Sequence, residues 1–226
     1  MRKIVVNLDS ETERLKHFQR YNIDAIRLCP VSLLDDELNE VYNRVQKANK
    51  TEQTRKKEIS NLLTFRNIIR QAKEDGIKQV LRLEDDVEMI GDMDSVIEQI
   101  QTLPEDFAFC HLGTYFRETK NGILTKYNKS FLEIGSGIRT WGLHAMVFNS
   151  YIFDKILEDF KDDEVYKRTL DYYMQMNIAG KYRCFCAYPI IALQKEEFVK
   201  NSMHKLRFNQ RLYEESERNI KKMLDE

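Results

Sequence analysis

No apolar run in this chain approaches the ~18 residues that suggest a membrane span. The N-terminus, MRKIVVNLDS, carries two positive charges, but its apolar run is too short for the core of a signal peptide. No two cysteines stand in CxxC spacing. Cys29, Cys110, Cys184 and Cys186 each sit in apolar sequence, which favours buried free thiols of a cytoplasmic protein over disulfides or zinc ligands. Charge of one sign is not in excess: 36 basic and 37 acidic residues give a net charge of -1, so bulk nucleic-acid binding is not expected. Missing too are GxxxxGK[ST], GxGxxG, HExxH and any Ser/His/Asp pattern. The GSG at 135–137 is too short to specify anything. There is no internal repeat, no low-complexity segment and no linker that would separate two domains.

What is present is a chain of 226 residues, 42% apolar, with enough length to bury a real core. KIVVNL (3–8) reads as a buried strand, and Asp9 and Ser10 offer N-cap oxygens to a polar helix, ETERLKHFQRY. DAIRLCPV (24–31) reads as a strand and 35–48 as a helix with Leu38, Val41, Tyr42 and Val45 on one stripe. NKTEQTRKK (49–57) has no apolar residue and reads as a mobile loop; its RKK could meet a diphosphate or an anionic lipid surface, or simply be solvated. A helix over 58–76 stops at Asp75-Gly76. A strand follows at 77–83, a helix at 92–103 and a strand at 107–113.

The first half therefore alternates strand and helix, which predicts an α/β fold with a mainly parallel sheet covered on both faces. The second half is less regular. It predicts short antiparallel pieces over 122–137, a strand at 143–149, a helix from Tyr151 to Phe160, a helix at 165–180, extended chain at 182–193 and a mixed-charge C-terminal helix. That last helix could dock on its own domain, pair with another chain or lie on a membrane surface.

VLRLEDDVE (80–88) carries the chemistry. A short apolar strand runs straight into Glu84, Asp85 and Asp86, with Glu88 just beyond. In open α/β sheets ligands bind at the carboxyl ends of strands, so these acids sit at the right edge. Carboxylates packed this closely repel one another unless a cation or water neutralises them. A hard divalent ion with oxygen ligands, Mg2+ or Mn2+, would leave positions open for a diphosphate. The bland alternative is an acidic loop in water.

Beyond these acids, an ordered set of motifs resembles the family 25 glycosyltransferases, the lipopolysaccharide and lipooligosaccharide sugar transferases. VVNLDSETERLKHF (5–18) resembles their opening strand and helix, and EISNLLTFRNIIRQA sits where they carry Glu-Ile-Gly-Cys-x-x-Ser-His. VLRLEDDVEM matches their Leu-Glu-Asp-Asp-Val, and LDYYM their Asp-His-Tyr/Phe. RTWGLHAMVFNSYIFDKIL resembles the segment in which a small-residue turn precedes a strand and helix, and YPIIALQ their closing Pro...Gln...Ser. Order and spacing hold over roughly residues 3 to 204. Two features depart: Ser60-Asn61 replaces Gly-Cys, and Thr64-Phe65 replaces Ser-His.

The resemblance implies a single GT-A-like, Rossmann-type domain over 1–226. Its nucleotide-binding half would be 1–113 and its acceptor and catalytic half 114–204, with a C-terminal helix at 205–226. It implies transfer from a nucleotide-diphosphate sugar, a UDP-sugar first, to a glycan or glycolipid acceptor, assisted by Mn2+ or Mg2+. The expected location is the cytoplasm, with peripheral contact at the inner membrane face left open. Asn7, Leu8 and Arg14 would line the nucleotide pocket, and Glu84-Asp85-Asp86 would be the DxD counterpart. Asp86 would be the direct metal ligand, Glu84 would hold ribose or a metal-bound water, and Asp85 would belong to the cofactor-binding set with its part the least defined.

If the anomeric centre inverts, Asp171 is the candidate general base; it could equally be a helix carboxylate in a salt bridge. His204 could join as a late metal ligand or be a surface residue. Trp141, beside Gly142, could stack on a sugar face or pack in the core. His111 and His144 read as core or pocket-edge residues, His17 as solvated, and Tyr172, Tyr173, Met174 and Met176 as a core stripe. Two rival functions stand beside the transferase. One is a non-catalytic carbohydrate- or nucleotide-binding protein. The other is a metal-dependent phosphotransferase or nuclease, for which Asp9 is the obvious second carboxylate.

Overall fold

The computed structural model describes residues 1–45, 50–117, 122–195 and 208–224. Its strands are β1 (Arg2–Val6), β2 (Ile26–Leu28), β3 (Gln79–Glu84), β4 (Val87–Met89), β5 (Phe107–Arg117), β6 (Leu124–Lys126), β7 (Phe131–Ile134), β8 (Arg139–Asn149), β9 (Arg183–Ala187) and β10 (Ala192–Gln194). Its helices are α1 (Thr12–Gln19), α2 (Asp36–Arg44), α3 (Glu52–Glu74), α4 (Met93–Ile100), α5 (Phe153–Asp159), α6 (Asp163–Tyr166), α7 (Leu170–Tyr173) and α8 (Phe208–Met223). Eight strands form one sheet in the order β2-β1-β3-β8-β5-β9-β7-β6, and β10 pairs with β4 apart from it.

The sheet is α/β in the expected sense, with helices on both faces. β1, β2 and β3 are parallel, as are β5 and β9. β8 lies antiparallel between β3 and β5, so a strand of the second half enters the parallel array of the first. β7 and β6 complete the antiparallel edge. Alternation along the strands produces two cores. Ile4, Val80, Met146 and Phe148 face α2, α3 and α5; Val5, Leu81, Leu83, Ala145 and Val147 face α1 and α4.

Helix starts follow side-chain caps. Asp35, Thr51 and Asp92 accept from the N–H groups of Leu38, Thr54 and Ser95. The Thr51 cap decides the segment expected to be a loop. Residues 52–57 are the first turns of α3, and Arg55 is buried against Glu58 and the Tyr166 carbonyl. RKK is therefore not a free basic loop. α1 has no side-chain cap from Asp9 or Ser10; Asp9 binds Arg27 instead.

The helix expected over 165–180 is broken into α6, α7 and a π-helical turn at Met174–Ile178, because Thr169 caps a new start by accepting from the Tyr172 N–H. RTWG is not a turn but the start of β8. α8 docks on its own domain: Ser216 Oγ accepts from Phe116 N–H and Asn219 donates to the Phe116 carbonyl, closing β5. Cys110, Cys184 and Cys186 are buried free thiols, whereas Cys29 is exposed. Among the described residues no helix is long and apolar enough to cross a membrane.

Candidate functional site

The carboxyl ends of β1 and β3 and the start of β8 meet at one edge of the sheet. Glu84 is the last residue of β3, pairs in register with Val6, and is followed by the buried Asp85 and Asp86. Arg14 pairs with both Asp85 and Asp86, at 3.1 and 3.5 Å, and each acid has further partners of its own.

Asp85 is an internal clamp. Its two oxygens accept from Asn7 Nδ2 at 2.7 Å and Arg14 Nη1 at 3.1 Å. Asn7 is itself engaged on its other side, accepting from Arg27 Nε at 2.8 Å. Burial raises the Asp85 carboxyl, and the Asn7 and Arg14 bonds oppose that rise. The side chains of Asn7, Arg14 and Asp85 thus bind one another and tie α1 to the β3 end. Leu8 is 48% exposed at the same edge.

Asp86 is 4% exposed. Its Oδ2 accepts from Gln194 Nε2 at 2.8 Å, and its backbone carbonyl accepts from Lys195 N–H at 2.6 Å. Its Oδ1 is buried and, among the described residues, has no hydrogen-bond partner. Burial, followed by repulsion from Glu84, pushes this carboxyl up to about 7. An orphaned anionic oxygen beside a second carboxylate is the environment that a cation relieves.

The shift has a measurable consequence. Asp86 ionises near its ordinary 3.8 when unfolded but near 7 in the fold, so the folded state holds the extra proton between those values. Stability of the ligand-free protein is expected to fall as pH rises through that window. Asp85 and Asp171, also raised, steepen the same slope. In Asp86→Asn that part of the slope disappears, which chemical denaturation at stepped pH would register.

Glu84 and Asp171 face each other electrostatically. Asp171, in α7, accepts from the Gly142 N–H at 3.1 Å. Burial raises its carboxyl first and Glu84 second, while the Gly142 N–H and Arg82 lower it. Gly142 has φ +91, where any side chain is strained, so glycine is what lets this backbone N–H meet Asp171. Trp141, next along β8, is 37% exposed, while Tyr115 opposite it is buried. Tyr172 and Met176 are also exposed, so only Tyr173 and Met174 of the expected stripe join the core.

Three residues to which no site role was assigned from the sequence complete the site. Arg82 is buried in β3 and donates to Leu143 O, Asn61 Oδ1 and Glu84 Oε1. A lone charge inside the apolar VLRLE was its only signal. Gln194 lies in the closing YPIIALQ pattern without an assigned part. Asn61 is one of the four positions that depart from the family pattern, and it alone of those four bonds to Arg82. Ser60 and Thr64 instead fasten α3 to Val31, and Phe65 packs on Phe148 and Phe160.

The histidines take other roles. His144 is buried and neutral, its charged form disfavoured by burial, and it donates from Nε2 to Ala192 O at 3.1 Å. His111 is buried beside Thr140 Oγ1, and burial with His144 repulsion pushes it down to about 3. His17 is not solvated but buried, donating from Nε2 to Val87 O. His204 lies outside the described residues.

A close backbone crossing holds this assembly. A Cβ on Gly113 would stand 1.9 Å from Ala192 O and 2.5 Å from His144 Nε2, the two ends of the His144–Ala192 bond. Gly113→Ala would displace β10, and with it Gln194 from Asp86. We expect a loss of at least about 2 kcal/mol and a thermal midpoint lower by roughly 5–10 °C, checked by calorimetry. An unchanged midpoint would contradict the packing.

The donor set fits a divalent cation only in part. Among the described residues no three His, Cys, Asp or Glu side chains converge as a metal-binding group. Glu84 and Asp86, whose buried Oδ1 has no hydrogen-bond partner among the described residues, are two carboxylates at this edge, a number that suits an ion taking its remaining ligands from a diphosphate and water. Asp9, the second carboxylate that a phosphotransferase would draw on, is exposed and paired with Arg27.

No family model matches the chain, and no curated protein matches it in sequence. Among solved structures it is similar to protein A197 from STIV at TM-score 0.44 and 14% identity, over 86% of this chain and 85% of that one. It is similar to a glycosyltransferase involved in the glycosylation of the major capsid of PBCV-1 at TM-score 0.44 and 10% identity, over 96% and 98%. It is similar to mouse xyloside xylosyltransferase 1, in its apo form, at TM-score 0.42 and 13% identity, over 78% and 68%. Likenesses at these values assign no function to the chain.

Proposed function

We propose that the chain is a GT-A-type glycosyltransferase of the kind found in family 25, moving a sugar from a nucleotide-diphosphate sugar to a glycan or glycolipid acceptor with inversion. The observation that carries this reading is the meeting, at the carboxyl edge of β3, of the buried orphan Oδ1 of Asp86, the adjacent Glu84 and the separately held Asp171. Two acids suited to a cation and a third suited to a proton make a donor side and an acceptor side.

Asp86 and Glu84 would hold Mn2+ or Mg2+. Such an ion, when bound, offsets the charge that develops on the leaving nucleotide diphosphate. Asp86 is fixed for that part by Gln194 and Lys195, which leave one carboxylate oxygen available. Asp171 would accept the proton of the attacking acceptor hydroxyl; burial and Glu84 raise its affinity for protons, which favours a base. Trp141, exposed beside Gly142, would give a sugar ring an aromatic face.

Leu8 would lie against the nucleotide, while Asn7, Arg14 and Asp85 shape its pocket from behind. All four cysteines are free thiols, which supports work in a reducing compartment such as the cytoplasm. The reading is tested by incubating the protein with Mn2+ and a panel of UDP-, GDP- and CMP-sugars and measuring nucleotide release. Cleavage of phosphoesters in place of sugar transfer would sink it.

A further inference from the structure

Arg82 is an arginine where packing calls for none. It is 1% exposed, in a central strand, and its register neighbours are Ile4 on β1 and Met146 on β8. A Leu or Met there would continue the apolar layer. A buried guanidinium is costly unless all its donors are used, and a well-packed apolar side chain is often the more stable choice. Here Nε has no partner among the described residues. The partly exposed Glu84 is its only ion-pair partner among them, at 3.1 Å. Stability therefore does not explain the residue.

Its three acceptors do. Nη2 donates to Glu84 Oε1 at 3.1 Å and to Asn61 Oδ1 at 3.0 Å, and Nη1 donates to Leu143 O at 2.9 Å. Leu143 directly follows Gly142, whose N–H holds Asp171. One rigid fork thus grips a carboxylate of β3 and the backbone of β8 next to the Asp171 bond. Asn61, from α3, fixes the fork from below. Lysine could not do this, since a single ammonium on a flexible stem does not span three acceptors in a fixed plane.

We propose that Arg82, braced by Asn61, is a positioning residue that sets the geometry of Glu84 relative to Asp171. The proposal rests on the transferase reading for its functional meaning. Arg82 touches neither donor nor acceptor; it acts through the groups it holds. Asp86 is anchored from the other side by Gln194, so donor binding depends on Arg82 only through Glu84.

The test compares Arg82→Lys and Asn61→Ala with the unaltered full chain in three measurements: amide exchange at Gly142 and Leu143 without ligand, donor affinity, and turnover at saturating donor. In Arg82→Lys, turnover is expected to fall roughly 10- to 100-fold with donor affinity changed far less, and Gly142 exchange to quicken. Asn61→Ala, at a half-buried position, should show the same pattern more weakly and decides the matter if Arg82→Lys does not fold.

Unchanged turnover and unchanged Gly142 exchange in the folded variants would overturn the proposal. So would quickened exchange with turnover intact, or equal loss of donor affinity and turnover, which marks general loosening. If the unaltered chain turns over no nucleotide sugar, the transferase reading fails by itself. Gly142 exchange then decides whether Arg82 positions the segment: quickened exchange upholds it, unchanged exchange overturns it.

Discussion

Asp171→Asn is expected to lower sugar transfer by roughly 10²- to 10⁴-fold while leaving donor affinity in place. The amide is nearly the same shape as the carboxylate, and its oxygen can still accept from the Gly142 N–H, so the fold around α7 should survive. What is lost is the ability to take a proton. Because burial and Glu84 both oppose the charged form of Asp171, removing that charge should not destabilise the protein. Turnover and donor titration together check the prediction. Retained transfer would remove Asp171 from the role; a matching loss of donor affinity would make it a binding residue instead.

Asp86→Ala is expected to act on the other side of the reaction. It deletes the orphan Oδ1 and the acceptor of the Gln194 bond together. Metal-assisted stabilisation of a leaving diphosphate amounts to several kcal/mol, so turnover should fall by roughly 10²- to 10³-fold or more. Unlike Asp171→Asn, this change should also weaken Mn2+-dependent nucleotide binding, which titration with and without a chelator would show. If nucleotide binding in Asp86→Ala keeps both its affinity and its metal response, Asp86 is not the ligand.

The alternation of strands and helices in the first half was legible because apolar runs of period two and stripes of period 3.6 sit between clear caps and stops. The place of β8 was not. Nothing local in RTWGLHAMVFN distinguishes an edge strand from one inserted antiparallel between β3 and β5. The 49–57 stretch misled because apolar patterning is blind to a helix start held by a Thr51 cap and by Arg55 bonds to Glu58 and Tyr166. His17 misled in the same way. It lies on a polar helix, and only the fold brings Val87 over it.

At the site, the acidic cluster announced itself by charge density at a strand end. That Asp85 is a clamp, Asp86 the orphan and Glu84 the partner of Arg82 depends on Asn7, Gln194 and Asn61, which are distant in sequence and neutral. Charge patterns mark where a site lies, and uncharged hydrogen-bond partners then divide the roles within it. Arg82 gives little signal in the sequence because a single arginine in a strand carries no motif, although its burial is costly enough to require a reason.

The central claim is that the edge formed by Glu84, Asp86 and Asp171 handles a nucleotide-diphosphate sugar with a divalent ion. Nucleotide release from a donor panel, measured with Mn2+ and again after chelation, tests it most directly. Release from one donor class, requiring the metal and a glycan acceptor, is the expected result. Tight donor binding without release, whatever acceptor is supplied, would contradict it and leave a binding protein in its place.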